Sequence, residues 1–149
     1  MTVPPALTAA LGLPHSAAAL RALGEAACLS QYRGDAHAAA ALSAALTLLA
    51  PEEPAGWLGQ AEARLRLGDL AGAEALGERA ARATRMTQDA MAMVCILRSR
   101  VALAQGRRAL AETLLVEART VAAAPALVQA TEARLALLRQ LQSRAEQRP

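Results

Sequence analysis

Residues 54–82, PAGWLGQAEARLRLGDLAGAEALGERAAR, decide the fold of this chain. Apolar residues recur at helical spacing on both sides of Gly68-Asp69, which predicts two helices joined by a tight turn. Two antiparallel helices approach closely only where their side chains are small. The stretch supplies such small residues at Ala61, Ala73 and Ala80.

The composition favours the all-α class. The 149 residues include 41 alanines, one Trp, one Tyr and no Phe. A core with so little aromatic bulk has to be thin, with helices packed closely over alanine, and β-branched residues are too few for a sheet. At this length we expect one domain with a substantial core.

The charge pattern argues against nucleic-acid binding. The net charge is +3, and all sixteen basic residues are Arg. These arginines alternate with Glu along the predicted helices, as in Glu62/Arg66, Glu74/Glu78/Arg82 and Arg108/Glu112. Such spacing is typical of a solvated helix face with i,i+4 ion pairs. A nucleic-acid surface would show an unbroken basic stripe with aromatic residues for stacking, and the sequence has neither.

Cysteine use and the N-terminus indicate a compartment. Cys28 and Cys95 are far apart and each lies in an apolar helical run, so we expect reduced core thiols rather than a disulfide. Residues 1–14 lack the basic region and long apolar stretch of a signal peptide. No window reaches the apolar length of a membrane span. We therefore expect a cytoplasmic protein without membrane insertion.

Glycine turns recur along the chain at Gly34, Gly68 and Gly106. The first two are 34 residues apart, whereas the next interval is 38 residues, which implies about one extra turn at the start of the helix before Gly106. We expect each glycine to separate two antiparallel helices. Asp35 and Asp69 should then accept hydrogen bonds from the first amides of the following helices.

Capping residues predict the other boundaries. Ser16 is the expected N-cap of a helix over 17–33, and Thr87 that of a helix ending near Gln105. Pro125 is expected to close the segment before it, and a last helix should follow over 126–145. The apolar face of that helix is predicted to comprise Leu127, Ala130, Ala133, Arg134, Leu137, Leu138 and Leu141. The pattern also allows a short helix over Ala6–Leu11.

The spacing of the turn glycines and small residues resembles that of the tetratricopeptide repeat. The 34-residue unit of this family has a bulky residue, a small residue, Gly-Asp and two alanines at set positions. The resemblance implies a single tetratricopeptide-repeat domain over 1–149, wound as a right-handed superhelix. Its three helix-turn-helix repeats would span about 20–53, 54–87 and 88–125, followed by a capping helix over about 126–146.

In this family the first helix of each repeat lines a concave groove, so the resemblance also implies a partner-binding surface. That groove would be largely apolar, with Arg and Glu at its edges. By repeat position, the residues that line it are Tyr32, Leu58, Glu62, Leu65, Arg66, Met93, Ile96, Arg100 and Leu103.

Two further features have alternative interpretations. Met86, Met91 and Met93 cluster at the entry to the third predicted repeat. They either fill gaps in the core or form a surface of flexible side chains that binds an apolar peptide. Trp57 is interpreted as a packing residue at the junction with the next helix rather than as a ligand anchor.

A search for reactive groups gives negative results. No glycine-rich phosphate loop follows a strand, and His15 and His37 lack metal-ligand spacing with each other or with either Cys. Glu52 and Glu53 precede a helix, where negative charge is structurally favourable. We therefore expect a protein that is not an enzyme and needs no metal or cofactor.

The expected function is protein binding. The carboxylate clamp of some tetratricopeptide co-chaperones needs Lys, Asn and Arg at positions that hold other residues here. The segment PEEPAGWLGQAEARLRLGDL (51–70) is instead similar to the small tetratricopeptide chaperones of bacterial type III secretion, in particular the needle-subunit branch. The resemblance implies a chaperone that holds an aggregation-prone needle or translocator subunit in its groove, with a co-chaperone as a second partner. The alternative is a generic adaptor for the assembly of protein complexes.

Overall fold

The computed structural model describes residues 17–147, which form helices and turns and contain no strand. The helices are α1 (Ala17–Tyr32), α2 (Ala36–Leu49), α3 (Pro54–Arg66), α4 (Leu70–Ala81), α5 (Gln88–Ala104), α6 (Arg108–Val121) and α7 (Pro125–Glu146). The all-α prediction is confirmed. Ser16 and the helix predicted over Ala6–Leu11 lie outside the described residues. No helix in the described part is long and apolar enough to cross a membrane.

The chain divides into two compact units, with the boundary between Met86 and Thr87. The first unit contains α1–α4 and the second contains α5–α7. Consecutive helices pack against each other within each unit. In addition, α1 contacts α3 in the first unit, and α5 contacts α7 in the second.

The three predicted glycine turns share one backbone geometry. Gly34, Gly68 and Gly106 have φ angles of 80°, 80° and 76°, in the left-handed region that favours glycine. The Gly68 amide donates to the carbonyl three residues earlier at 3.1 Å, and the next amide donates to the carbonyl five residues earlier at 2.9 Å. The same pair of bonds occurs at the other two turns. This is the Schellman motif, and it confirms all three turn positions.

Side-chain caps begin three of the helices, as predicted. Asp35 and Asp69 accept from the amide three residues further on, at 3.0 and 2.9 Å. Thr87 does the same at 3.1 Å. The extra turn is also present, since α5 has 17 residues and α3 has 13. Pro125 is the first residue of α7, so this helix begins one residue before the predicted start at 126. Proline is favoured there because the first N–H of a helix makes no hydrogen bond within the helix.

Alanines make close helix packing possible in both units. Eight alanines among residues 17–147 are fully buried. Six of them occupy small positions of the predicted repeat: Ala39, Ala61, Ala73, Ala80, Ala111 and Ala118. A methyl side chain adds little bulk between two helix backbones, so the axes can lie at the short end of the usual range of about 8–10 Å.

Glycines allow a closer approach still between α2 and α3. A Cβ atom on Gly56 would lie 2.7 Å from the backbone nitrogen of Thr47, and one on Gly59 would overlap the Ser43 hydroxyl. The Thr47 hydroxyl donates to the Ser43 carbonyl at 2.9 Å and accepts from Gln60 at 2.8 Å. The contact therefore combines direct backbone approach with a satisfied buried hydroxyl.

The last helix buries only two members of the predicted face, since Leu138 lies in the core and Leu127 packs against it. The inward residues of α7 are Thr131, Leu135 and Leu138, and the two leucines join a core with Leu114 and Leu115 of α6. Of the predicted face, five members are exposed: Ala130, Ala133, Arg134, Leu137 and Leu141. Adjacent residues on a helix are about 100° apart, so Leu137 and Leu138 cannot both face the core.

The two cysteines have opposite environments. Cys95 is a buried free thiol, as predicted, and burial raises its pKa to about 11, with the nearby Glu117 carboxylate adding to the increase. Cys28 is also free but exposed, so its assignment to the core was wrong. Ala27 is the one buried residue of α1, and half of the residues of this helix are exposed.

Surface ion pairs follow the i,i+4 prediction in two of three cases. Arg66 pairs with Glu62 at 3.1 Å and Arg82 with Glu78 at 3.4 Å. The predicted Arg108/Glu112 pair was wrong, because Glu112 meets Arg139 of α7 at 2.9 Å. That pair joins two helices of the second unit.

Asp89, in the first turn of α5, fastens the loop between α6 and α7. One carboxylate oxygen accepts from the Ala123 amide at 2.8 Å and from the Ala124 amide at 3.0 Å. These two backbone hydrogen bonds lower the pKa of Asp89, since they favour the ionised form. This contact joins residues 34 and 35 positions apart, and no sequence pattern predicts it.

We predict that Gly56→Ala destabilises the fold by about 1–3 kcal/mol, because the added methyl group would push α3 away from the α2 backbone. Gly24→Ala is the matched control. The nearest atom to its Cβ would be Cδ2 of Leu46 at an ordinary 3.9 Å. That control should gain about 0.5–1 kcal/mol of helix propensity. Urea unfolding of both variants measures the difference, and equal effects would contradict the close α2–α3 approach.

We predict that Asp89 makes stability depend on acid pH. Because its folded pKa lies below 3.8, its contribution is complete above that unfolded value and is lost as the pH falls through the lowered folded pKa. Asp89→Asn keeps the acceptor oxygen but cannot titrate in this range. The difference in Tm between wild type and this variant should therefore shrink as the pH is lowered from 6 to about 2. A constant difference would show that the carboxylate does not bind the loop.

We predict that a thiol reagent modifies one cysteine in the native protein and two after denaturation without reductant. Cys28 is exposed, whereas Cys95 is buried and stays protonated. Cys28→Ser should abolish native labelling and leave one reactive thiol in the denatured chain. Two fast native reactions would place Cys95 at the surface.

Candidate binding groove

The second unit contains an apolar groove between α5 and α7. It has a volume of about 110 Å³ and is lined by Ser99, Arg100, Leu103, Leu115, Arg134, Leu137, Leu138 and Leu141. Leu115 and Leu138 form its floor and are buried in the core. Leu103, Leu137 and Leu141 form its rim and are 39%, 57% and 50% exposed. Three large apolar side chains therefore remain in solvent around one opening.

The α7 wall has a regular helical spacing. Arg134, Leu137, Leu138 and Leu141 stand at positions i, i+3, i+4 and i+7, so they lie on one side of the helix. Four residues at this spacing form the hole that receives a side chain in knobs-into-holes packing. The wall of the groove is thus shaped to accept one side chain of another helix.

Contacts within the unit hold this wall in place. Leu135 and Leu138 pack into the core beside Leu114, which fixes the rotation of α7 about its axis. The pair between Arg139 and Glu112 ties α7 to α6 at 2.9 Å. Leu137 and Leu141 are consequently directed away from the core rather than into it.

The charged residues that line the groove are both arginines. They are Arg100, which is half-buried, and Arg134, which is exposed. Neither Asp nor Glu belongs to the lining among residues 17–147. The opening therefore offers an apolar surface with positive charge at its edge.

The residues predicted for the third repeat divide between groove and core. Arg100 and Leu103 line the groove. Ile96 is half-buried and packs against both core clusters of the second unit. Met93 is exposed, and its neighbour Met91 packs against the core. The methionines thus include both a packing residue and a surface residue.

In the first unit the predicted groove residues hold α3 against α1. Arg66 pairs with Glu62 and also donates to the Gln31 carbonyl at 2.7 Å. Gln31 in turn donates from its side-chain amide to the Gly59 carbonyl at 3.0 Å. Tyr32, at the end of α1, is 89% exposed. Leu58 and Leu65 are both half-buried on α3.

Trp57 is held by contacts within the first unit. Its indole N–H donates to the Pro51 carbonyl at 2.9 Å. The Arg79 guanidinium of α4 lies 5.0 Å from the ring centroid, within cation–π range. These contacts agree with the packing role predicted for this residue.

The carboxylates of the loop before α3 contact one arginine. Arg85 lies 3.4 Å from Glu53 and 3.9 Å from Glu52, and its backbone amide donates to the Glu52 carbonyl at 2.9 Å. His37 is exposed, and His15 lies outside the described residues. Within residues 17–147, no three His, Cys, Asp or Glu side chains come together as a metal site would need.

The α7 side of the groove was not predicted from the sequence. Arg134, Leu137, Leu138 and Leu141 were predicted to form part of a single apolar face. The adjacent pair Leu137-Leu138 was the available signal, since two neighbouring leucines on a helix indicate two apolar faces. One face completes the core and the other is left for the groove.

Comparison with protein-family models, curated proteins and solved structures finds no match to this chain.

Proposed function

We propose that the chain is a protein-binding chaperone of the tetratricopeptide kind, which holds an apolar segment of an aggregation-prone export subunit in its groove. The observation that carries the proposal is the opening between α5 and α7, where Leu103, Leu137 and Leu141 are exposed around a buried apolar floor. Exposed apolar side chains gathered at one concave place are a common sign of a binding site.

Repeated local geometry supports the repeat assignment. The Schellman turn recurs at Gly34, Gly68 and Gly106, each between two helices. Within each unit, every helix packs against the helix before it. In addition, α1 contacts α3. Both properties are expected of stacked helix-turn-helix units.

Binding of this kind depends on the burial of apolar surface and involves no chemical reaction. A partner that covers the three rim leucines would remove them from water. This burial favours binding by about 25 cal/mol for each Å² of apolar surface. A segment held in this way could not pair with other copies of itself. The proposal therefore concerns a holding activity in the cytoplasm, without a metal or cofactor.

We predict that Leu137→Glu abolishes capture of the natural partner with little change in stability. The residue is exposed, and surface substitutions usually change stability by no more than about 0.5 kcal/mol. A tagged protein would be purified from its own cells, the partner identified by mass spectrometry and recombined in purified form. Binding and Tm are then measured for each variant.

Leu48→Glu is the matched control, because Leu48 is a similarly exposed leucine (50%) of α2 in the first unit. Capture should be lost only for Leu137→Glu. Equal binding by both variants would show that the partner docks elsewhere. Equal loss would show that apolar surface in general, rather than this groove, retains the partner.

A further inference from the structure

The groove between α5 and α7 has a defined size, shape and charge, and together these identify the class of segment that fits it. The volume of about 110 Å³ is somewhat smaller than an apolar cavity of about 150 Å³ that takes up one benzene molecule. It therefore has room for one aliphatic side chain of a partner, not for a string of them.

The spacing of the wall residues favours a helix over an extended strand. Arg134, Leu137, Leu138 and Leu141 form the four-residue hole that receives a knob from a facing helix. An extended strand presents its side chains at a spacing of about 6.6 Å on one face, which does not follow the i, i+3, i+4 and i+7 positions of α7.

Charge disfavours a second copy of this chain as that helix. An antiparallel pairing of two α7 helices over Leu137 and Leu141 would be centred on Arg139. It would set Arg134 of one copy against Arg144 of the other, while a parallel pairing would oppose Arg134 to itself. Like charges placed together across an interface oppose association. A partner with carboxylates beside its apolar stripe has the complementary sign.

We propose that the occupant is an amphipathic helix that inserts a leucine or isoleucine into the groove and places Asp or Glu about one turn away, where Arg134 selects it. This inference rests on the proposed function and adds the chemical class of the partner. Arg134 suits the role because it is exposed at the edge of the hole and its planar guanidinium can bind a carboxylate through two hydrogen bonds.

The test uses two synthetic helical peptides with the same leucine stripe, flanked by Glu in one and by Lys in the other. Fluorescence anisotropy measures their binding to the full-length protein. The wild type should bind the Glu peptide about fivefold more tightly than the Lys peptide, which is the upper end of the range for an exposed ion pair. Arg134→Glu should reverse that order, and Arg134→Gln should make the two affinities nearly equal.

Arg119→Glu controls for the net charge of the protein. Arg119 is an exposed arginine of α6 that does not line the groove, so this variant should keep the wild-type order of affinities. A preference that changes equally in Arg119→Glu and Arg134→Glu would overturn the role of Arg134. Failure of the wild type to bind either peptide would overturn the helical occupant.

The outcomes also separate this inference from the proposed function. If both peptides bind equally to wild type and Leu137→Glu abolishes both, the groove binds apolar segments but Arg134 does not select them. If Leu137→Glu leaves peptide binding and capture of the natural partner unchanged, the groove itself is not the binding site.

Discussion

Close approach of helix backbones is the constraint on which this structure depends. The chain has almost no aromatic side chains, so its helices gain contact by packing over alanine and glycine rather than around large residues. Gly56 and Gly59 illustrate this most directly, because no Cβ atom would fit between α3 and α2 at either position. The Schellman turns support the same packing, since each reverses the chain within a few residues and keeps the next helix beside the previous one.

The same constraint accounts for the groove. A thin core needs only one narrow stripe from each helix, and α7 supplies it with Thr131, Leu135 and Leu138. Leu137 and Leu141 are then surplus to the core and remain on its surface beside Leu103 of α5. Exposed apolar side chains gathered at one place are typical of interaction sites, and this is the basis of the proposal that a partner covers them.

The sequence predicted what depends on local geometry. Glycine at a left-handed position and Asp or Thr three residues before a helical amide each act over a few residues. The three glycine turns and the caps at Asp35, Asp69 and Thr87 were therefore predicted correctly, as were six of the eight fully buried alanines among residues 17–147. The contacts that were missed depend on neighbours distant in sequence. Cys28 lies in an apolar stretch, but no helix among residues 17–147 covers it. Glu112 pairs with Arg139 instead of Arg108 because α7 brings that arginine near. Burial of such positions is decided by tertiary packing, which periodicity alone does not specify.

Methyl NMR tests the central claim most directly. With leucine methyl groups labelled in the full-length protein, the Glu-flanked peptide is added and each methyl signal is followed. The account predicts that the signals of Leu103, Leu137 and Leu141 shift together and saturate with one affinity. Shifts confined to exposed leucines outside the groove, such as Leu29 and Leu48, would contradict it.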